Sequence, residues 1–133
     1  MTFIKSYDNW QIYRDEHDIC HAITKPVETK SFQGIRNIPY LTMTYKDYRH
    51  FTFSIYAGFN LKRTGPILLE VNEITFPLHR YRDFFAYTYN SDSDVAIFNN
   101  SIKSGKFIQV RSYNSNNETA LDYYSLKGFL QTA

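Results

Sequence analysis

The sequence has little of what usually staples, punctuates or addresses a chain. One cysteine among 133 residues excludes an intrachain disulfide. The fold must therefore rest on a hydrophobic core, which a chain of this length can bury. The five glycines show no spacing that would cradle a phosphate. No run of 18 apolar residues occurs, so no membrane-spanning helix is expected. The opening MTFIKSYDNW lacks the apolar stretch of a signal peptide, and a leader replaced at Met1 is compatible with it. Lys and Arg never run beyond two in a row, and the net charge is only +2. That balance is too weak to point to nucleic acid.

What the chain has is aromatic side chains: twelve Tyr, eleven Phe and one Trp, 18% of the whole. They suit either a stacking surface for bases or sugars or an aromatic-rich β core. The second is the simpler reading, because strands favour aromatics and the abundance of Asn, Ile, Lys, Phe and Tyr fits an A/T-rich genome. The remaining composition, 43% hydrophobic and 21% charged, is that of an ordinary globular protein.

Short alternating runs separated by turn residues dominate the pattern, which predicts an all-β protein. NWQIY places Trp10 and Ile12 on one face, DEHD turns, and ICHAIT returns. Residues 25–39 form a long polar loop, expected to be the most mobile stretch. YLTMTY and HFTFSIYAGF alternate around a KDYR turn. EVNEITF reads as a tight hairpin through Asn72. FFAYTY and FIQVRSY are further strands, and ALDYYSLKGFLQT is expected to be the closing one. The period changes once. Over 93–104 a short helix is expected, with Asp92 or Ser93 capping its start, Val95, Phe98 and Ile102 as its apolar stripe, Lys103 in its last turn and Gly105 at the C′ position. About ten short strands and one helix predict an antiparallel β-sandwich over 1–133 as a single domain. A closed barrel is the alternative.

Few residues suggest chemistry. HDICH concentrates His17, Cys20 and His21, but on a strand His17 and His21 share a face with Ile19 while Cys20 points away. No metal site is expected from this, and Cys20 should behave as a small buried hydrophobe. A Cys–His nucleophile would need an exposed thiol with a base beside it. No nucleophile elbow occurs, and the paired carboxylates Asp15–Glu16 and Asp92/Asp94 fall at turn or cap positions. No catalytic residue, cofactor or metal ligand is therefore assigned. LHRYRDFF is the surface candidate. His79, Arg80 and Arg82 flank Tyr81 in a loop expected between two strands, a combination suited to an acidic glycan, a lipid headgroup or a protein patch.

The motifs as a whole are similar to one family. PYLTMTY, SIYAGFNLKRTGPILLEVNEITFPL, SDSDVAIFNNSIKSGKFIQVRS and the closing DYYSLKGF resemble the invasion-associated locus B family of alphaproteobacterial exported proteins. The most specific piece is Asp122, Tyr124, Ser125, Leu126, Gly128 and Phe129. Trp10, Cys20, Pro26 and Pro39–Leu41 supply the N-terminal frame. The chain departs from the family in lacking further cysteines, in carrying Asn116 and Asn117 where an Arg-Gly-Thr piece is common, and in having Phe near Asp83–Phe85 in place of a Trp. The resemblance implies a β-sandwich and a periplasmic or envelope location. It also implies a non-enzymatic role in contact with or entry into host cells, through a protein or envelope partner. It supplies no catalytic residues. The other classes to weigh are a sandwich module binding a glycan or anionic lipid and, third, a small hydrolase. A deep cleft with convergent polar groups would favour the hydrolase, and a flat face with exposed aromatics the binding classes.

Overall fold

A computed structural model describes residues 1–47, 50–104 and 106–132. Along the chain come β1 (Thr2–Tyr7), β2 (Trp10–Arg14), β3 (Cys20–Thr24), β4 (Glu28–Lys30), β5 (Tyr40–Asp47), β6 (His50–Tyr56), β7 (Ile67–Val71), β8 (Ile74–Arg82) and β9 (Phe85–Thr88). Helix α1 (Ser91–Ser104), β10 (Phe107–Tyr113), β11 (Thr119–Ser125) and a closing 3-10 turn (Phe129–Thr132) follow. All strand pairs are antiparallel, in the order β1-β2-β3-β5-β6-β9-β8-β7-β10-β11-β4. This continuous sheet folds over itself around one core, giving the expected sandwich.

The alternation read from the sequence decides which side chains enter that core. Leu41 and Met43, Phe53 and Ile55, Leu69 and Val71, and Ile108 and Val110 are buried on successive strands. Tight turns take the left-handed backbone that Asx residues tolerate. Asn72 and Glu73 join β7 to β8 with φ 53° and 64°, as the sequence predicts for this hairpin, and Asp8 and Asp18 (φ 52° and 61°) turn the first two hairpins.

The closing motif joins the two ends of the fold. Trp10 is fully buried, and its Nε1 donates to the Ser125 carbonyl at 3.0 Å. The Phe129 ring sits 5.1 Å from Trp10 and also meets Phe53 and Phe98. Tyr124 and Leu126 are buried beside them. Gly128, at φ 87°, passes so close to the backbone that an added Cβ would lie 2.2 Å from the Tyr7 carbonyl oxygen. The chain turns into the 3-10 turn there. This corrects the expected closing strand, which stops at Ser125.

Three further expectations change. The 25–39 stretch contains β4, paired with β11, and it is pinned by Arg36. The Arg36 guanidinium donates to Asp122 from Nη1 (2.9 Å) and Nη2 (2.6 Å), and Nε donates to the Ala57 carbonyl at 2.9 Å. Thr29 donates to the same carboxylate. A buried bidentate pair ties this stretch to both halves of the sheet, so it is not the loose loop its composition suggested. The helix is present, but Val95 and Ile102 are exposed. Its inward side is Asp94, Ile97 and Ser101, with Phe98 half-buried. Polar groups turn inward because each finds a partner: Asp94 accepts from the Phe53 amide (2.9 Å) and the Thr88 hydroxyl (2.7 Å), and Ser101 donates to the Ile97 carbonyl. The cap is Asn90, whose Oδ1 accepts from the Ser93 amide at 2.9 Å, rather than Asp92 or Ser93. The expected C′ role of Gly105, and the Tyr48–Arg49 part of the KDYR turn, lie outside the described residues.

Candidate functional site

The same alternation that fills the core projects a second set of side chains outward. On β5, β6 and β9 these are Tyr40, Thr42 and Thr44, then Thr52, Ser54 and Tyr56, then Phe85 and Tyr87. Strand register places them in rows. Tyr40 lies opposite Tyr56 and Tyr56 opposite Phe85, while Thr42 lies opposite Ser54 and Ser54 opposite Tyr87. Large rings thus border a strip of small hydroxyl side chains. Ring centroids are 4.9 Å apart for Tyr40–Tyr56 and 5.1 Å for both Tyr56–Phe85 and Tyr81–Tyr87, and His79 lies 4.9 Å from Tyr89. Asn37 Nδ2 donates to the Tyr56 hydroxyl at 2.9 Å. The Tyr40 phenol is pushed up by burial and by the nearby Tyr56 and Tyr87 hydroxyls, so it stays neutral and able to donate. Three phenols from three strands therefore converge on one neutral patch.

The sequence-predicted patch borders this face, but not as a loop. His79, Arg80, Tyr81 and Arg82 lie within β8, and the register shifts between Arg80 and Arg82. Such a bulge re-aims side chains. It sets Tyr81, 59% exposed, edge-on against Tyr87. Arg82 stacks over the Tyr81 ring at 5.7 Å. Arg80 follows the inward parity of Leu78 and pairs with Asp83 at 2.8 Å. The four residues thus divide: His79, Tyr81 and Arg82 join the aromatic face, and the Arg80 guanidinium is held by its own turn. Sequence reasoning missed Tyr40, Tyr56, Phe85 and Tyr87. Their signal was available in the parity opposite to the core positions, because an aromatic on that parity is not a core aromatic.

HDICH takes apart into three environments. His17 is exposed in the turn beside Glu16. His21 points outward, with Nε2 3.0 Å from Asp15 Oδ2 and Nδ1 3.1 Å from Thr44 Oγ1. Cys20 points inward opposite Tyr45 but is half-buried rather than sealed, since it opens β3 at the end of the sandwich. Burial first, then Cys20, pushes the Tyr45 phenol up to about 12. Among the described residues no three His, Cys, Asp or Glu side chains group as metal ligands.

Two arrangements bear on catalysis. Asp15, His21 and Thr44 form a carboxylate–imidazole–hydroxyl chain. Thr44 lies mid-strand between β3 and β6 partners, where backbone donors are committed to the ladder, so none is free to stabilise an oxyanion. A cleft of about 490 Å³ lies at the end of β5–β6, lined in part by Ile19, Tyr45, Phe51, Thr88 and Asp94. Its carboxylate, Asp94, is raised by burial and committed to the Phe53 amide and Thr88. Lys46, His50 and Ser91 also line this cleft.

The fold and this face define a class: an antiparallel β-sandwich with one helix, presenting an aromatic surface on ordered strands. The structure is similar to the crystal structure of invasion associated protein B from Bartonella henselae, with a TM-score of 0.67 over 98% of this chain and 92% of that chain. Sequence identity is 13%, so the likeness is one of fold. No protein-family model and no curated protein matches the chain in sequence.

Proposed function

We propose that the chain is a single-domain, non-enzymatic protein of the bacterial envelope or periplasm that acts in contact with host cells. It works by presenting a surface rather than by turning over a substrate. The observation that carries this reading is the uncharged aromatic face of β5, β6 and β9. Half-buried rings on ordered strands give contact area at low entropic cost, and solubility does not call for them. The likeness in fold to an invasion associated protein and the motif resemblance read from the sequence support the host-contact setting. His79, Tyr81 and Arg82 belong to the proposed surface, and Arg80 acts by bracing the turn.

The test is retention of labelled protein on host-cell surfaces. Wild type is expected to be retained, a Tyr81→Ala, Tyr89→Ala double variant to be largely lost, and a Glu70→Ala, Arg111→Ala control to behave as wild type. Equal retention of all three would remove this face from the function.

A further inference from the structure

We propose that the aromatic face binds a neutral, extended oligosaccharide, with Tyr40, Tyr56, Tyr87 and Tyr81 against its sugar rings and the Thr42 and Ser54 hydroxyls beneath. This rests on the surface-contact reading and adds the chemical class of the partner.

Charge selects the ligand first. No outward position of β5, β6 or β9 over the ring rows carries a formal charge. The Arg82 guanidinium stands at the rim over Tyr81, and the Asp15 carboxylate, held through His21, stands at the Thr44 end. Arg80, the second member of any bidentate anion clamp, is bound to Asp83 on the other side of the strand. A phosphate or sulfate would thus meet one rim cation and a neutral floor. A neutral ligand loses nothing by this.

Shape and polarity select among neutral ligands. A pyranose has an apolar C–H face and an equatorial ring of hydroxyls. The protein offers the complement, aromatic rings whose tips are phenols around a strip of Thr and Ser. The Tyr56 hydroxyl already accepts from Asn37 Nδ2, which leaves its proton free to donate outward. Burial, with the Tyr56 and Tyr87 hydroxyls beside it, keeps the Tyr40 phenol protonated across the physiological range. A protein partner could also use aromatic anchors, and what favours a sugar here is the strip of Thr42 and Ser54 hydroxyls between the ring rows. Length follows from the sheet. Strands spaced near 4.8 Å put the first and last ring-bearing strands, β5 and β8, about 14 Å apart, the reach of about three linked pyranoses. The bulge at Tyr81 brings that ring back against Tyr87 at 5.1 Å, which continues the row.

Weak-affinity chromatography of the intact chain tests this, on immobilised maltohexaose, cellohexaose and chitohexaose, with a heparin hexasaccharide and phosphatidylserine vesicles as charged arms. Retention on at least one neutral glycan, unchanged between low and moderate salt, is expected. Tyr56→Ala should weaken it at least tenfold, about 1.4 kcal/mol. Tyr81→Ala, at an exposed ring, and Tyr40→Phe, which removes only a hydroxyl, should weaken it several-fold with the fold intact by circular dichroism. Retention of none of the three glycans overturns the assignment. So does retention on the charged arms alone, which salt would abolish. If cells still hold the protein after periodate treatment but not after proteolysis, the partner is a protein. The sugar assignment then falls while the surface-contact reading stands.

Discussion

The two outward halves of this sheet obey one alternation and carry different chemistry. Over the ring rows of β5, β6 and β9 the outward positions are rings and hydroxyls without charge, and Lys46 and His50 come only at the far end of β5–β6. On β7, β10 and β11 they include Leu68 and Glu70, Phe107, Gln109, Arg111 and Tyr113, and Leu121 and Tyr123, with Glu70 opposite Gln109 and Leu68 opposite Arg111. The second half mixes classes. Glu70 and Arg111 lie among its aliphatic and aromatic residues and keep it solvated. Solubility needs no more than that. The first half forgoes charge and groups its rings, which is the arrangement of a contact surface. The same period-two backbone therefore settles which residues face out, but not what the outward set is for.

The largest effect should come from severing the tie between the halves. Asp122, 3% exposed, holds Arg36, which reaches back to the Ala57 carbonyl after β6. Asp122→Ala leaves a buried guanidinium unpaired and should destabilise the protein by about 3–5 kcal/mol, read from the denaturant midpoint. A change below about 1 kcal/mol would mean that the halves stand independently. Phe129→Ala should cost a similar amount, about 3–5 kcal/mol, since the ring fills the space between Trp10, Phe53 and Phe98.

Next comes Gly128→Ala. The added Cβ would meet the Tyr7 carbonyl at 2.2 Å in a left-handed conformation, so the closing turn must move, at a cost of about 1–3 kcal/mol. Thermal unfolding would show this as a lowered midpoint with the sheet signal intact.

The comparison itself is sharpened by removing one exposed residue from each face. Tyr81→Ala and Arg111→Ala should each change stability by less than about 0.5 kcal/mol. Only Tyr81→Ala should reduce surface retention. Loss of retention in both variants would erase the distinction between the faces.

The smallest effect is on pH. The hydrogen bond to His21, with amide donors from Ile19 and His17, holds the Asp15 carboxyl down at about 2. A carboxyl lowered in the folded state contributes stability that is complete above its ordinary value, near 3.9. That contribution is lost as pH falls from about 4 toward about 2. Burial raises Asp94 instead, so its contribution has the opposite sign and grows on acidification. Asp15→Asn should flatten the acid limb of a urea-midpoint series between about pH 4 and pH 2. An unchanged limb would show that the Asp15–His21 contact is not held in solution.

Much of this was legible in the residues. Alternation put Trp10 and Ile12 on one face and marked YLTMTY and HFTFSIYAGF as strands, and Asn72 announced a hairpin. These signals are local, because strand parity and turn backbone depend on neighbouring residues alone. The helix stripe misled. Asp94 and Ser101 look like surface residues until a buried amide and a helix carbonyl stand beside them, and hydropathy does not record a partner brought from β6 or from the preceding turn. The 25–39 loop misled for the same reason, since its order comes from Asp122, 86 residues beyond Arg36.

By itself, then, the sequence determined an all-β chain of alternating strands, one helix, a core without staples and an excess of aromatics with nothing to say how they were shared out. Only the tertiary structure decided that sharing. Strand order set Tyr40, Tyr56, Phe85 and Tyr87 side by side from three strands, and a single register shift divided Arg80 from Tyr81. Neighbours across a sheet are fixed by pairing between segments far apart in the chain, and pairing is a property of the fold rather than of any one stretch.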